Sequence, residues 1–220
     1  MYKPFEEFRI TAKCVSVIGS GGKTAFLHYL SEHLPGTVIL TTSTHIRPFL
    51  DIPLVDAAGA SREQVRDGLR SALSRSRVVC LGRSEPSGKL ADPSGVFPFE
   101  DLLAEADYIL VEADGAAGRP LKAHRPHEPV IPSCSGLTVC LAGASGIGRP
   151  VSEVCHCPEL FASLAGISPD NTADRRETVI KKNDQKINSG IDKIGAFLNS
   201  TTDYMTEDFE MKLRKRINLL

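Results

Sequence analysis

The amino-acid sequence predicts a doubly wound α/β domain on a mainly parallel sheet, followed by a helical C-terminal tail. Three observations carry that expectation. Short apolar runs rich in β-branched residues recur through the first 170 residues, helix-length stretches separate them, and the composition changes abruptly near residue 170. Strands apolar on both faces are what a parallel sheet covered by helices requires, and their alternation with helices is a βαβ succession.

Taken in order, Cys14 to Ile18 (CVSVI) reads as the first strand and ends in glycines, and a helix is expected over Thr24 to Leu34. Thr37 to Thr41 (TVILT) is the second apolar run. Ser61 to Ser74 reads as a helix with Ser61 as N-cap and Gln64 at the capping-box position. Strands follow at Arg77 to Leu81, Tyr108 to Val111 and Leu137 to Leu141, with a helix over Phe99 to Ala106. Loops at Ser84 to Pro98 and Gly115 to Pro132 are long for a compact domain, and such loops are more often functional than idle.

The tail is a different kind of sequence. All 14 Pro and all six Cys precede residue 170, and every Asn (Asn171, Asn183, Asn188, Asn199 and Asn218) follows it. Ile187, Ile191, Ile194 and Leu198 repeat at helical spacing, as do Phe209, Leu213 and Ile217. The expected organisation is therefore a nucleotide-binding α/β domain over 1–170 and a divergent tail, helical or partly disordered, over 171–220.

Charge and length narrow the function classes. Among 220 residues, 26 Lys and Arg meet 27 Asp and Glu, a net charge of −1. No global field exists to hold nucleic acid or an anionic membrane, so any polyanion must be small and locally recognised. No apolar stretch approaches the ~18 residues of a membrane span, and the start, Met-Tyr-Lys-Pro-Phe-Glu-Glu, is too acidic for a signal peptide. A cytoplasmic protein with reduced, packed thiols is expected.

The most informative segment is Val17-Ile18-Gly19-Ser20-Gly21-Gly22-Lys23-Thr24. A buried strand runs into glycines and Lys-Thr opens a helix, so backbone N–H groups and the positive end of a helix dipole converge on one volume suited to phosphate. Gly19, Ser20, Gly21 and Gly22 would line it, Lys23 would meet the β- and γ-phosphates, and the Thr24 hydroxyl would ligate Mg²⁺. Val17 stands where G-x-x-x-x-G-K-[ST] wants its first glycine. The spacing is the shorter G-x-x-G-K-T, which resembles the P-loop of Mur-type amide ligases and gives the sheet its P-loop NTPase character.

Tyr108-Ile109-Leu110-Val111-Glu112-Ala113-Asp114-Gly115 delivers Glu112 and Asp114 to the carboxyl end of a strand, where ligands of open α/β sheets bind. Either carboxylate could hold Mg²⁺, and a period of two puts both on one side. In Thr41-Thr42-Ser43-Thr44-His45, Thr41, Thr42 and Thr44 could touch a γ-phosphate, or could bond their own backbone. The stretch from Gly118 to Pro129 is dense in anion-binding and proton-moving groups. Arg119, Lys122 and Arg125 suit phosphate or carboxylate, and His127 or Glu128 could serve as general base. Lys23 and Asp114, with Lys122, His127 and Glu128, form the catalytic candidates.

Together VIGSGGKT, TTSTHI, LVEADGAAGRPLKAHRPHEPVIP and the segment from Gly143 to Glu159 resemble the YqeC family of accessory proteins for selenium-dependent molybdenum hydroxylases. The likeness covers roughly residues 10–168. It implies a P-loop fold, ATP or GTP as substrate with Mg²⁺, and as partners a selenium-dependent molybdenum hydroxylase and a selenium donor. The matching positions are the loop glycines, Lys23, Thr24, Thr41, Thr42, Thr44, Glu112, Asp114, Gly115, Lys122, His127 and Glu128. Two departures stand out. Cys157 replaces the arginine expected in His-Arg-Pro-Glu, and no NKxD-type base loop follows. Zinc ligation by Cys134, Cys140, Cys155, His156 and Cys157 is weighed against packed thiols.

Three readings follow. The first is an NTP-dependent enzyme with Mg²⁺ bridging Thr24, Glu112 or Asp114 and the phosphates. The second is a nucleotide-gated delivery protein in which the TTST hydroxyls sense the γ-phosphate. The third is an ATP-dependent ligase similar to dethiobiotin synthetase or the Mur enzymes.

Overall fold

The computed structural model describes residues 10–173 and the strand Ile194–Asn199. By compactness these fall into two units: 10–18, Lys23–Gly115 and His127–Thr138 in the first, and Gly19–Gly22, Ala116–Pro126 and the described residues from Val139 onward in the second.

The first unit is organised by a parallel sheet. Strands β1 (Cys14–Gly19), β2 (Val38–Thr42), β4 (Leu54–Asp56), β5 (Val78–Ser84) and β7 (Tyr108–Glu112) are its parallel members. Their order is β1-β7-β2-β5, with β4 on β5. Two short antiparallel strands, β6 (Leu90–Ala91) and β3 (His45–Ile46), extend it from β5.

Alternate residues of the central strands point to opposite faces, and both sets are buried. Ile39, Val79, Leu81, Ile109 and Val111 join Val65, Leu69 and Ala72 of α2 (Arg62–Leu73) and Phe97, Phe99 and Leu102 in one core cluster. The alternate set, Val38, Leu40 and Leu110, is fully buried too, and α1 (Lys23–His33) packs on β7 and β2 through Phe26, Leu27 and Leu30. The apolar runs are therefore strands covered on both sides, as expected.

The capping box at Ser61 forms in full. The Ser61 hydroxyl accepts from the Gln64 amide at 3.2 Å, and the Gln64 side chain accepts from the Ser61 amide at 2.8 Å. Helix α3 spans Phe99–Leu102, shorter than the expected Phe99 to Ala106, and hydrogen-bonded turns complete the segment. Ser84 to Pro98 is less a free loop than a hairpin. Leu90 pairs with Ser84, and Phe97 lies at 0% exposure in the core.

The second unit holds β8 (Leu121–Lys122) parallel to β10 (Cys155–His156), with α4 (Val151–Val154) and α5 (Pro158–Ala165). Leu121, Val151, Val154, Phe161 and Ala173 form its core. Strand β9 (Leu137–Gly143) delivers residues 139–143 to this unit, where β11 (Ile194–Asn199) lies beside it.

That last strand corrects one expectation. Ile194 and Leu198, placed on a tail helix by their spacing, lie in a strand instead. A short apolar run is ambiguous by periodicity alone, and the place beside β9 decides it. Ile187, Ile191, Phe209, Leu213 and Ile217 lie outside the described residues. Among those described, no helix is long and apolar enough to cross a membrane.

Candidate functional site

The glycine turn belongs to the second unit. Gly19, Gly21 and Gly22 have φ of 88°, 82° and 102°, the left-handed region that side chains resist. A Cβ on Gly19 would stand 2.2 Å from the Leu141 carbonyl oxygen, and one on Gly21 would stand 2.3 Å from the Gly143 Cα. The Ser20 amide donates to Leu141 O at 2.9 Å. Ser20 Oγ is buried and has no hydrogen-bond partner among the described residues. The Pro120 carbonyl accepts from the Gly143 amide at 2.7 Å and lies 3.0 Å from the Gly21 Cβ position. The turn is thus packed by Leu141, Gly143 and Pro120. Sequence reasoning assigns none of these a role in it; the available signal was the glycine closing the last apolar run.

In the first unit, Lys23 and Thr24 open α1, so their amides lie in the first turn, where N–H groups have no acceptor within the helix itself. The Lys23 side chain is 5% exposed and its ammonium reaches Asp114 Oδ1 at 3.1 Å and Glu112 Oε1 at 3.9 Å. Thr24 is exposed, and its hydroxyl donates to Glu112 Oε2 at 3.3 Å. Four predicted site residues therefore meet in one cluster, and β-sheet register explains why. Strand β7 lies between β1 and β2, with Glu112 opposite Val17 on one side and Thr42 on the other. The chain passes from β1 through α1 to β2, leaving a gap that β7 fills, and the three carboxyl ends converge. Ligands of open α/β sheets sit at such switch points.

The hydroxyl stretch is committed to local structure. Thr42 Oγ1 donates to the Glu112 carbonyl at 2.9 Å and accepts from the Thr44 amide at 3.0 Å; the Thr42 and Thr44 hydroxyls are 3.5 Å apart. Ser43 Oγ donates to the Val130 carbonyl at 2.5 Å, and the Val130 amide donates to Ala113 O at 2.9 Å. These bonds lay the chain just beyond His127 and Glu128 along the end of β7. His127 is exposed and Glu128 half-buried. Thr41 Oγ1 is buried and has no hydrogen-bond partner among the described residues.

Lys122 lies in the second unit, buried on β8 opposite His156 of β10. The Arg119 guanidinium donates to the Glu153 carbonyl, which anchors that loop. The cysteines do not converge. Cys134 Sγ lies 3.8 Å from Cys14 Sγ, and the Cys155 thiol donates to the His156 carbonyl at 3.3 Å. Burial pushes the Cys14 thiol up, and the Cys80 and Cys155 thiols up to about 12. Among the described residues, no group of three His, Cys, Asp or Glu side chains is placed to hold a metal, zinc included.

The remaining metal candidate is an oxygen set: the Glu112 and Asp114 carboxylates with the Thr24 hydroxyl. Hard oxygen donors of this kind suit Mg²⁺, which takes one or two carboxylates and completes its shell with water and phosphate. Glu112 and Thr24 share a hydrogen bond, so two of these oxygens lie 3.3 Å apart, a spacing that neighbouring ligands of one small ion could share.

Comparison with known proteins agrees with the motifs. A family model described as YqeC protein matches residues 15–159. The Escherichia coli (strain K12) protein named Uncharacterized protein YqeC is similar at 33% identity, over 75% of this chain and 65% of that one. The chain thus spans just under two thirds of that relative's length. No solved structure matches. The family match covers well over half of the chain, takes in the glycine turn, Lys23, Glu112 and Asp114, and is joined by that relative: the chain belongs to the YqeC family.

Proposed function

We propose that this protein binds a nucleoside triphosphate with Mg²⁺ through Lys23, Thr24 and the end of β7, and uses γ-phosphoryl transfer or hydrolysis to act on a small acceptor. The observation that carries the reading is the buried cluster of Lys23, Glu112 and Asp114 at the first turn of α1, with Thr24 hydrogen-bonded to Glu112. An ammonium, a hydroxyl, two carboxylates and the N–H groups of a helix start are the parts that phosphoryl transfer needs, since its catalysis is chiefly positioning and charge stabilisation.

In this reading the amides at the start of α1 and the Lys23 ammonium hold the β- and γ-phosphates, and Lys23 stabilises charge that grows on the transferred group. Thr24 with Glu112 or Asp114 would hold Mg²⁺, which supplies neutralisation of phosphate charge when bound. His127 and Glu128 are the candidate proton acceptors. The wider role, accessory to selenium-dependent molybdenum hydroxylases, rests on the family resemblance. We favour turnover over a hydroxyl gate because Thr42 and Ser43 spend their hydroxyls on main-chain carbonyls.

The test is equilibrium binding of ATP and GTP to the purified chain. Wild type is expected to bind at least one of them in Mg²⁺, with Lys23→Ala weakened on the order of a hundredfold, as loss of a shielded charge-assisted contact to phosphate implies. Equal failure of both proteins to bind either nucleotide refutes the proposal.

A further inference from the structure

Glu112 and Asp114 are treated as equivalent by their spacing, yet the structure places them differently. Asp114 is 0% exposed, and its Oδ1 lies 3.1 Å from the Lys23 ammonium, against 3.9 Å for the nearest Glu112 oxygen. Glu112 turns its other oxygen, Oε2, to the hydroxyl of Thr24 at 3.3 Å. Glu112 is also fixed from behind, since its carbonyl accepts from the Thr42 hydroxyl and the Ser43 amide.

We propose, on the basis of the nucleotide-binding reading above, that the two carboxylates divide the work: Asp114 is a positioning residue that parks the Lys23 ammonium, and Glu112 with Thr24 is the pair that takes the divalent ion. Two consequences follow from charge alone. Phosphate must compete with Asp114 for Lys23, and it also meets the negative charge of Asp114 in a place that solvent screens little. Metal-free nucleotide is therefore held weakly by design of the site. Neutralising Asp114 removes the competitor, while neutralising Glu112 removes the ion's ligand. The first change strengthens metal-free binding and keeps the response to Mg²⁺; the second abolishes that response.

The experiment titrates N-methylanthraniloyl ATP and GTP into the full chain as wild type, D114N and E112Q, first in EDTA and then in excess Mg²⁺. D114N is expected to bind in EDTA on the order of tenfold tighter than wild type, the scale of one like charge removed at close range, and to gain further affinity when Mg²⁺ is added. E112Q is expected to show nearly the same affinity with and without Mg²⁺. The division is overturned if D114N binds no tighter than wild type in EDTA, or if D114N loses the Mg²⁺ response while E112Q keeps it. Should D114N fail to fold, E112Q decides: a full Mg²⁺ response there overturns the assignment, and its loss sustains it. If wild type itself binds neither nucleotide in Mg²⁺, the functional reading falls and this inference with it. If wild type binds and the two variants respond alike, only the division of labour fails.

Discussion

Gly19 has two separate reasons to be glycine, and they can be weighed against a glycine that has one. Its φ of 88° is shared in kind with Gly118 at 73°, and alanine in that region costs roughly 1–2 kcal/mol. At Gly118 nothing among the described residues lies within 4 Å of the Cβ position, so the conformational cost dominates. At Gly19 the same Cβ would sit 2.2 Å from a main-chain oxygen, which cannot move without shifting β9. Urea denaturation of the two variants is expected to give a loss of about 1–2 kcal/mol for Gly118→Ala, and a distinctly larger loss, or no folded protein, for Gly19→Ala. Equal losses would mean that the turn is free to relax away from Leu141, and that its glycines answer to conformation alone.

At the scale of elements, what could be read from the chain was whatever depended on neighbours in sequence. The strands β1, β2, β5, β7 and β9 were legible because each is an apolar run of its own, and the Ser61 cap because Gln64 is three residues away. The pairs Lys23–Thr24 and Glu112–Asp114 could be singled out from local sequence, whereas the insertion of β7 between β1 and β2 could not, since no local pattern encodes strand order. Strands β3, β4 and β6 were missed because two or three residues carry no period; only their partners on β5 and one another define them. The tail strand β11 was misread for a different reason: Ile194 and Leu198 also fit helical spacing, and only its place beside β9 decides for a strand.

One inter-element joint gives a pH test. Asp107, at the entry to β7, accepts from the Thr37 amide at 2.7 Å and the Thr37 hydroxyl at 2.8 Å, just ahead of β2. The Thr37 amide, then its hydroxyl, hold the Asp107 carboxyl below its ordinary range. A depressed folded pKa contributes stability above the unfolded value, and that contribution disappears as pH falls through the folded one. Asp107→Asn should therefore melt below wild type at neutral pH, and the gap should close on acidification to below the usual carboxylate range. A gap that persists unchanged there would assign the effect to shape rather than charge.

Across the whole molecule, occupancy of the proposed site must appear as stability, because the groups that would hold nucleotide are not on a peripheral loop. Lys23 begins the helix that packs on β7 and β2, and Glu112 ends the strand between β1 and β2. A ligand that binds only this arrangement stabilises it by mass action, about 2.7 kcal/mol when its concentration exceeds Kd a hundredfold. For a protein of this size each kcal/mol moves Tm by about 2–4 °C, so the shift should be roughly 5–11 °C. The expected pattern is a shift with Mg²⁺ and ATP or GTP together, little with Mg²⁺ alone, and little with nucleotide in EDTA, where Asp114 still holds Lys23. Lys23→Ala should remove the shift while leaving a cooperative transition, since the helix start and the packed glycine turn do not depend on the ammonium. A shift retained in full by Lys23→Ala would place nucleotide elsewhere on the protein and separate the buried ion pair from phosphate binding altogether.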